Sequence, residues 1–103
     1  MSIISFLQEN NRNHYFFPKN EFKYMYISYS SGTTGSVYIY FQAEGTLNDH
    51  DLITLTVRED KLSYVSNQIK AMLSSSGNNE ITTKTIENNM LHQFIDTITY
   101  TAG

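Results

Sequence analysis

Along the first half of the chain, apolar and polar residues alternate in short runs that suit β-strands. In the second half one run has the three-and-four spacing of a helix. Successive side chains of a strand point to opposite sides. Phe22 to Tyr29 therefore sets Phe22, Tyr24, Tyr26 and Ser28 on one face and Lys23, Met25, Ile27 and Tyr29 on the other. The SSGTTG stretch from Ser30 to Gly35 is a turn signal, with Gly32 and Gly35 suited to positive φ. Ser36 to Gln42 alternates again, Val37, Ile39 and Phe41 against Tyr38 and Tyr40, so the two runs predict a hairpin. A polar loop, 43–51, leads to a third strand, Leu52 to Val57.

Next comes the helical run. Leu62, Val65, Ile69, Met72 and Leu73 form the stripe of a half-buried helix, expected to pack on the sheet through Ile53, Leu55 and Val57. Asp60 is placed to cap its start and Gly77 to end it at C′. Ile81 to Ile86 predicts a fourth strand and Asn88-Asn89 a turn. Met90 to Phe94 stays open between a helical turn and an extended segment. Ile95 to Thr101 predicts the last strand, with Ile95, Thr97, Thr99 and Thr101 facing away from Asp96, Ile98 and Tyr100. The expected fold is α+β, one domain over residues 1–103. It has a mixed, mainly antiparallel sheet of about five strands in the order β-β-β-α-β-β, one amphipathic helix and one right-handed crossover.

Residues 1–20 read as an N-terminal arm. Ile3, Ile4, Phe6 and Leu7 are an apolar patch, Gln8 to His14 is almost wholly polar, and Tyr15, Phe16 and Phe17 precede Pro18. Three consecutive aromatics cannot share one strand face, so at least one leaves the sheet or meets solvent. Two readings stand side by side. The arm crosses to a neighbouring subunit, its polar middle spanning roughly 20 Å, with Phe6 or Phe16 as anchor, or it folds back over its own core.

Composition narrows what such a domain does. The chain has 103 residues, a formal net charge of −3, no Cys and no Trp. Disulfides, thiolate metal sites and thiol catalysis are excluded. The longest apolar runs are too short for a membrane helix, and the opening residues lack the basic and apolar segments of a secretory leader. There is no basic face for phosphates, which disfavours nucleic acid. Ser, Thr and Asn make up 32 of the 103 residues and charged types only 17%. That suits a surface packed against neighbours, and an AT-rich genome favours several of the same residue types. Tyr, at 8 copies, supplies flat area with a polar tip, a type enriched in interfaces.

Candidate chemistry is sparse. Glu44, Asp49, His50 and Asp51 cluster in one loop but match no calcium-loop spacing. His14, His50 and His92 are scattered without a ligand spacing. Ser30-Ser31-Gly32 lacks the flanking glycines of a nucleophile elbow, and Gly32-Thr33-Thr34-Gly35 lacks the Lys of a phosphate loop. No catalytic, cofactor-binding or metal-binding residue is assigned, no cofactor is expected, and an enzyme is not expected. Tyr24, Tyr26, Tyr38 and Tyr40 lie on adjacent hairpin strands. On a common face they would form a tyrosine ladder, either an exposed platform for single strands, sugars or protein, or a wet edge of the core. The candidate partner-binding residues are Ile3, Phe6, Leu7, Tyr15, Phe16 and Phe17 of the arm, with Tyr38 and Tyr40 of the ladder.

From Phe16 to Thr101 the pattern resembles small virion proteins of marine tailed phages. It runs through Phe17-Pro18, the strand Tyr24 to Ser28, Val37-Tyr38-Ile39-Tyr40-Phe41, then Asp49-His50-Asp51-Leu52-Ile53-Thr54-Leu55-Thr56-Val57. A helix headed by Lys61 and the closing Ile98-Thr99 strand complete it. The Asp-Leu-Ile-Thr-Leu-Thr-Val run is its most specific piece; the Asn-rich arm departs from it. The resemblance implies a bacteriophage capsid decoration (cement) or other minor structural protein, made in the host cytoplasm and located in the virion. Its partners would be further copies of itself in a homo-oligomer and a major capsid protein, with no nucleic acid, membrane or small-molecule substrate. The alternative is a small host-interaction or regulatory binding module without catalysis.

Overall fold

In a computed structural model, residues 2–8, 12–29, 32–42, 50–83 and 94–102 are described. Their elements run β1 (Ile3–Gln8), β2 (Asn13–Pro18), β3 (Phe22–Tyr29), β4 (Thr34–Gln42), β5 (His50–Arg58), α1 (Leu62–Ser74), β6 (Asn79–Thr82) and β7 (Ile95–Thr101), with single 3-10 turns before β3 and α1. The fold is α+β. Its strands form two sheets, one of 3 strands in the order β2-β1-β6 and one of 4 in the order β3-β4-β5-β7. All neighbours are antiparallel except β1 and β6, which run parallel.

Strand alternation builds the core. Val37, Ile39 and Phe41 of β4 and Ile53, Leu55 and Val57 of β5 all face inward and are buried. The expected stripe of α1 covers part of that face: Leu62, Val65 and Ile69 are fully buried in the same cluster, with Met72 and Leu73 packed at its margin. The small sheet covers the rest. Ile4, Phe6, Phe17 and Ile81 point inward, and Phe41 lies 4.2 Å from Phe17 ring to ring, stacked, with Phe6 edge-on at 6.2 Å. The two sheets and the helix thus enclose one core and leave the other face of the four-stranded sheet open.

Several expectations change in three dimensions. The sheet is two sheets, because Ile3–Gln8 and Asn13–Pro18 pair as antiparallel strands that fold back over the core, the second of the two readings of residues 1–20. The hairpin needs the core to bury Ile4, Phe6 and Phe17, and the core needs the hairpin to cover Phe41. The strand after α1 leaves the sheet of β5 and pairs with β1, so no β-α-β crossover forms within one sheet. Asp60 does not cap α1; it accepts from Arg58 at 3.0 Å within the turn that precedes the helix. Ser75, not Gly77, closes the helix, its N–H and hydroxyl both reaching the Met72 carbonyl. Gly32 has the positive φ expected of it (110°), but Gly35 lies inside β4. It is glycine for room: a Cβ there would stand 2.3 Å from Leu62 Cδ1 and 2.9 Å from the Ser28 carbonyl. A register shift between Thr56 and Val57 lets both Ile95 and Ile98 reach the core from β7, where strict alternation separates them. Residues 84–86 of the expected fourth strand, the Asn88-Asn89 turn, Met90 to Gln93, and Glu44 and Asp49 of the acidic loop lie outside the described residues.

Among the described residues, one charged side chain is buried without any sequence signal. Lys19 donates from Nζ to Asn79 Oδ1 (2.6 Å) and to the Ser75 carbonyl (3.1 Å), a cation held at the C-terminal end of α1 where helix carbonyls favour it.

Candidate binding face

The open face of the four-stranded sheet is set by register. Tyr24 pairs with Tyr40 and Tyr26 with Tyr38 across β3 and β4. Tyr38 and Tyr40 in turn oppose Thr54 and Leu52 of β5, and Thr54 and Thr56 oppose Thr99 and Thr97 of β7. One face therefore carries a tyrosine half and a threonine half, with Ser28 and Ser36 opposite each other at the end of the tyrosine half. Its interior positions carry no charged side chain; Arg58 and His50 stand at its ends.

The four tyrosines form a column. Ring centroids are 4.5 Å apart for Tyr24–Tyr40, 6.1 Å for Tyr40–Tyr26 and 4.9 Å for Tyr26–Tyr38, all stacked. Tyr24 and Tyr26 remain 47% exposed, so the column is a surface and not a core. Rings standing side by side turn their faces to one another and their hydroxyl edges outward. A hydrogen bond to the Tyr26 hydroxyl, then burial, then the neighbouring tyrosines push the Tyr40 hydroxyl up to about 12. At neutral pH the Tyr40 hydroxyl thus keeps its proton. His50 stands edge-on to Tyr24 and Tyr40 at 6.0 and 5.9 Å, and its Nδ1 is a buried polar atom with no hydrogen-bond partner among the described residues.

The candidate residues separate into different places. Tyr38 and Tyr40 join Tyr24 and Tyr26 in the column. Phe6 and Phe17 are buried in the core. Ile3 and Leu7 are half-buried on the small sheet, the Ile3 N–H donating to Asn78 Oδ1 at 2.9 Å. Tyr15 and Phe16 lie on the edge strand β2: Tyr15 is stacked on Tyr100 at 5.1 Å, and Phe16 is 61% exposed beside His14. The threonine half escaped the candidate list. Its signal, Thr at every second position in both Leu52–Val57 and Ile95–Thr101, is in the sequence, but its alignment beside the tyrosines needed the register.

Among the described residues no group of three or more His, Asp or Glu side chains is arranged to hold a metal ion, and no helix is long and apolar enough to cross a membrane. Comparison with protein-family models, with curated proteins and with solved structures finds no match to this chain.

Proposed function

We propose that this chain is a non-catalytic structural protein of a virus particle, a capsid decoration or other minor component, that binds a major shell protein through its tyrosine–threonine face. The observation that carries the binding reading is the chemistry of that face. It is open, uncharged in its interior and tipped with hydroxyls from Tyr24, Tyr26, Tyr38, Tyr40, Thr54 and Thr56. Nucleic acid needs cations to meet phosphate, and none stands inside it. Sugars and bases stack on free ring faces, and here the faces meet each other. A protein surface, which takes Tyr for area and hydroxyls for hydrogen bonds, fits best.

Four strands at ~4.8 Å spacing and about seven residues at ~3.3 Å give a footprint of roughly 450 Å². That is modest against the ~800 Å² per partner of a standard interface. Several copies held together as a homo-oligomer and bound at once would make up the difference in avidity. The virion setting rests on the resemblance carried by Asp51 to Val57 and the elements around it. Co-sedimentation with purified particles tests it. The intact chain should pellet with particles, and Tyr26→Lys with Tyr38→Glu, which sets opposite charges across the strand pair, should remain in the supernatant while still folded at the assay temperature by circular dichroism. An intact chain that never pellets overturns the virion reading; a double variant that pellets as well as the parent removes the face from it.

A further inference from the structure

A second surface, independent of the tyrosine–threonine face, lies along β2. This strand pairs with β1 on one side and, among the described residues, with no strand on the other. The Lys19 N–H donates to the Ser2 carbonyl, which makes Ser2–Lys19 a hydrogen-bonded pair just beyond the hairpin register. Hydrogen-bonded and non-hydrogen-bonded pairs alternate along an antiparallel ladder. Ile4–Phe17 and Phe6–Tyr15 are then hydrogen-bonded pairs, and the backbone groups of His14, Phe16 and Pro18 point away from β1. Pro18, which has no N–H, falls at a position where none is needed for pairing with β1.

A cavity of about 560 Å³ follows this free edge. Consecutive residues from His14 to Pro18 line it, from both faces of the strand, as a groove beside a strand edge requires. Its far wall is Tyr100, Asp51 and Gln42, and Glu21 lies past the end of the strand. Tyr100, stacked on Tyr15, is held protonated by burial and by the Asp51 carboxylate, to which its hydroxyl is bonded. Edge strands are usually blunted by lysine or by an inward charge. β2, with the sequence NHYFFP, carries neither; its one blunting residue is Pro18 at the very end of the strand, and the stretch before it shows an exposed Phe16.

We propose that the free edge of β2 is a strand-addition site for an extended segment of another protein that carries a basic side chain. The added strand would hydrogen-bond to His14, Phe16 and the Pro18 carbonyl, cover Phe16, and place a Lys or Arg against Asp51 and Glu21 with its stem over the Tyr15–Tyr100 pair. The charge selects the partner. A second copy of this chain, paired by two-fold symmetry at β2, would bring the carboxylates of two chains of net charge −3 to one groove. A basic strand brings the opposite charge.

Three blocked heptapeptides test this on the full chain by amide and ring NMR shifts. One is Thr-Val-Thr-Arg-Thr-Val-Thr, one has Glu for the central Arg, and one is the Arg peptide with alternate backbone nitrogens methylated. The Arg peptide should shift the His14 and Phe16 amides and the Tyr15 and Tyr100 rings. It should bind at least roughly fivefold more tightly than the Glu peptide, as expected for a partly exposed charge pair. Methylation should abolish binding, and Glu21→Lys, an exposed change that leaves the fold intact, should weaken it. Equal binding of the Arg and Glu peptides, unimpaired binding of the methylated one, or shifts confined to the Tyr24–Tyr40 column would each overturn the proposal. So would concentration-dependent self-pairing at β2 without peptide.

Discussion

Ile69→Ala tests the packing of α1 on the four-stranded sheet. Ile69 is fully buried in the cluster that holds Val37, Ile39, Leu55 and Val57. The change removes three carbons, worth ~2.4 kcal/mol at ~0.8 kcal/mol each in transfer terms. If the site does not collapse, a residual void of roughly 60 Å³ adds about 1.4 kcal/mol. Alanine returns ~0.4 kcal/mol in helix propensity. The net loss is about 3.4 kcal/mol, inside the ~2–5 kcal/mol range of such truncations. At ~4 °C per kcal/mol for a domain of this size, the melting temperature should fall by roughly 14 °C. Urea unfolding should show a lower midpoint at unchanged slope, so that the loss is assigned to the folded state. Lys70→Ala, one position along and exposed, is the control and should stay within about 0.5 kcal/mol. If Ile69→Ala costs no more than the control, the helix does not pack by this face and the core described above is wrong.

Three further outcomes follow from the same geometry. Gly35→Ala should destabilise by roughly 1–3 kcal/mol, because the new methyl meets both Leu62 Cδ1 and the Ser28 carbonyl; adding Leu62→Ala should recover part of that loss in a double-mutant cycle, and strictly additive losses would show the two residues are not in contact. Ultraviolet titration of tyrosinate should find one hydroxyl ionising near 12, that of Tyr40, and Tyr26→Phe should bring it down. Since the folded value lies above the ordinary value of 10.0, this group's contribution to stability is whole below pH 10 and lost as pH rises towards 12, so the parent should lose stability across that window more steeply than Tyr26→Phe. Deleting residues 2–18 should leave a chain without dispersed NMR signals, since Ile4, Phe6 and Phe17 belong to the one core; a truncated chain that stays folded would restore the detachable arm.

What was legible along the chain was whatever depends on local period. The Phe22–Tyr29 and Val37–Phe41 alternations determined a hairpin, though a bulge between Phe22 and Tyr24 turns Phe22 to the core side; Leu52–Val57 determined a third strand, and Leu62, Val65 and Ile69 a helix with one buried stripe. Each is fixed by side chains a few residues apart, and each holds. The coarse α+β class followed from their order. The hairpin of residues 3–18 was not legible, because a polar stretch between two apolar patches reads alike as a bridge and as a loop. Only the ring of Phe41, waiting at the end of the sheet for Phe6 and Phe17, decides between them. The partner of β6 is likewise a matter of which edge is free once α1 has packed. Lys19 looks like any surface lysine until the end of α1 arrives beside it. The tyrosine–threonine face shows both kinds of information. Its residue types and their spacing by two were written in the sequence. That Tyr38 stands between Tyr26 and Thr54, and not one position along facing the core, was set by the strand register. Register depends on which side chains the rest of the fold buries, because a slip by one residue exchanges the two faces of a strand.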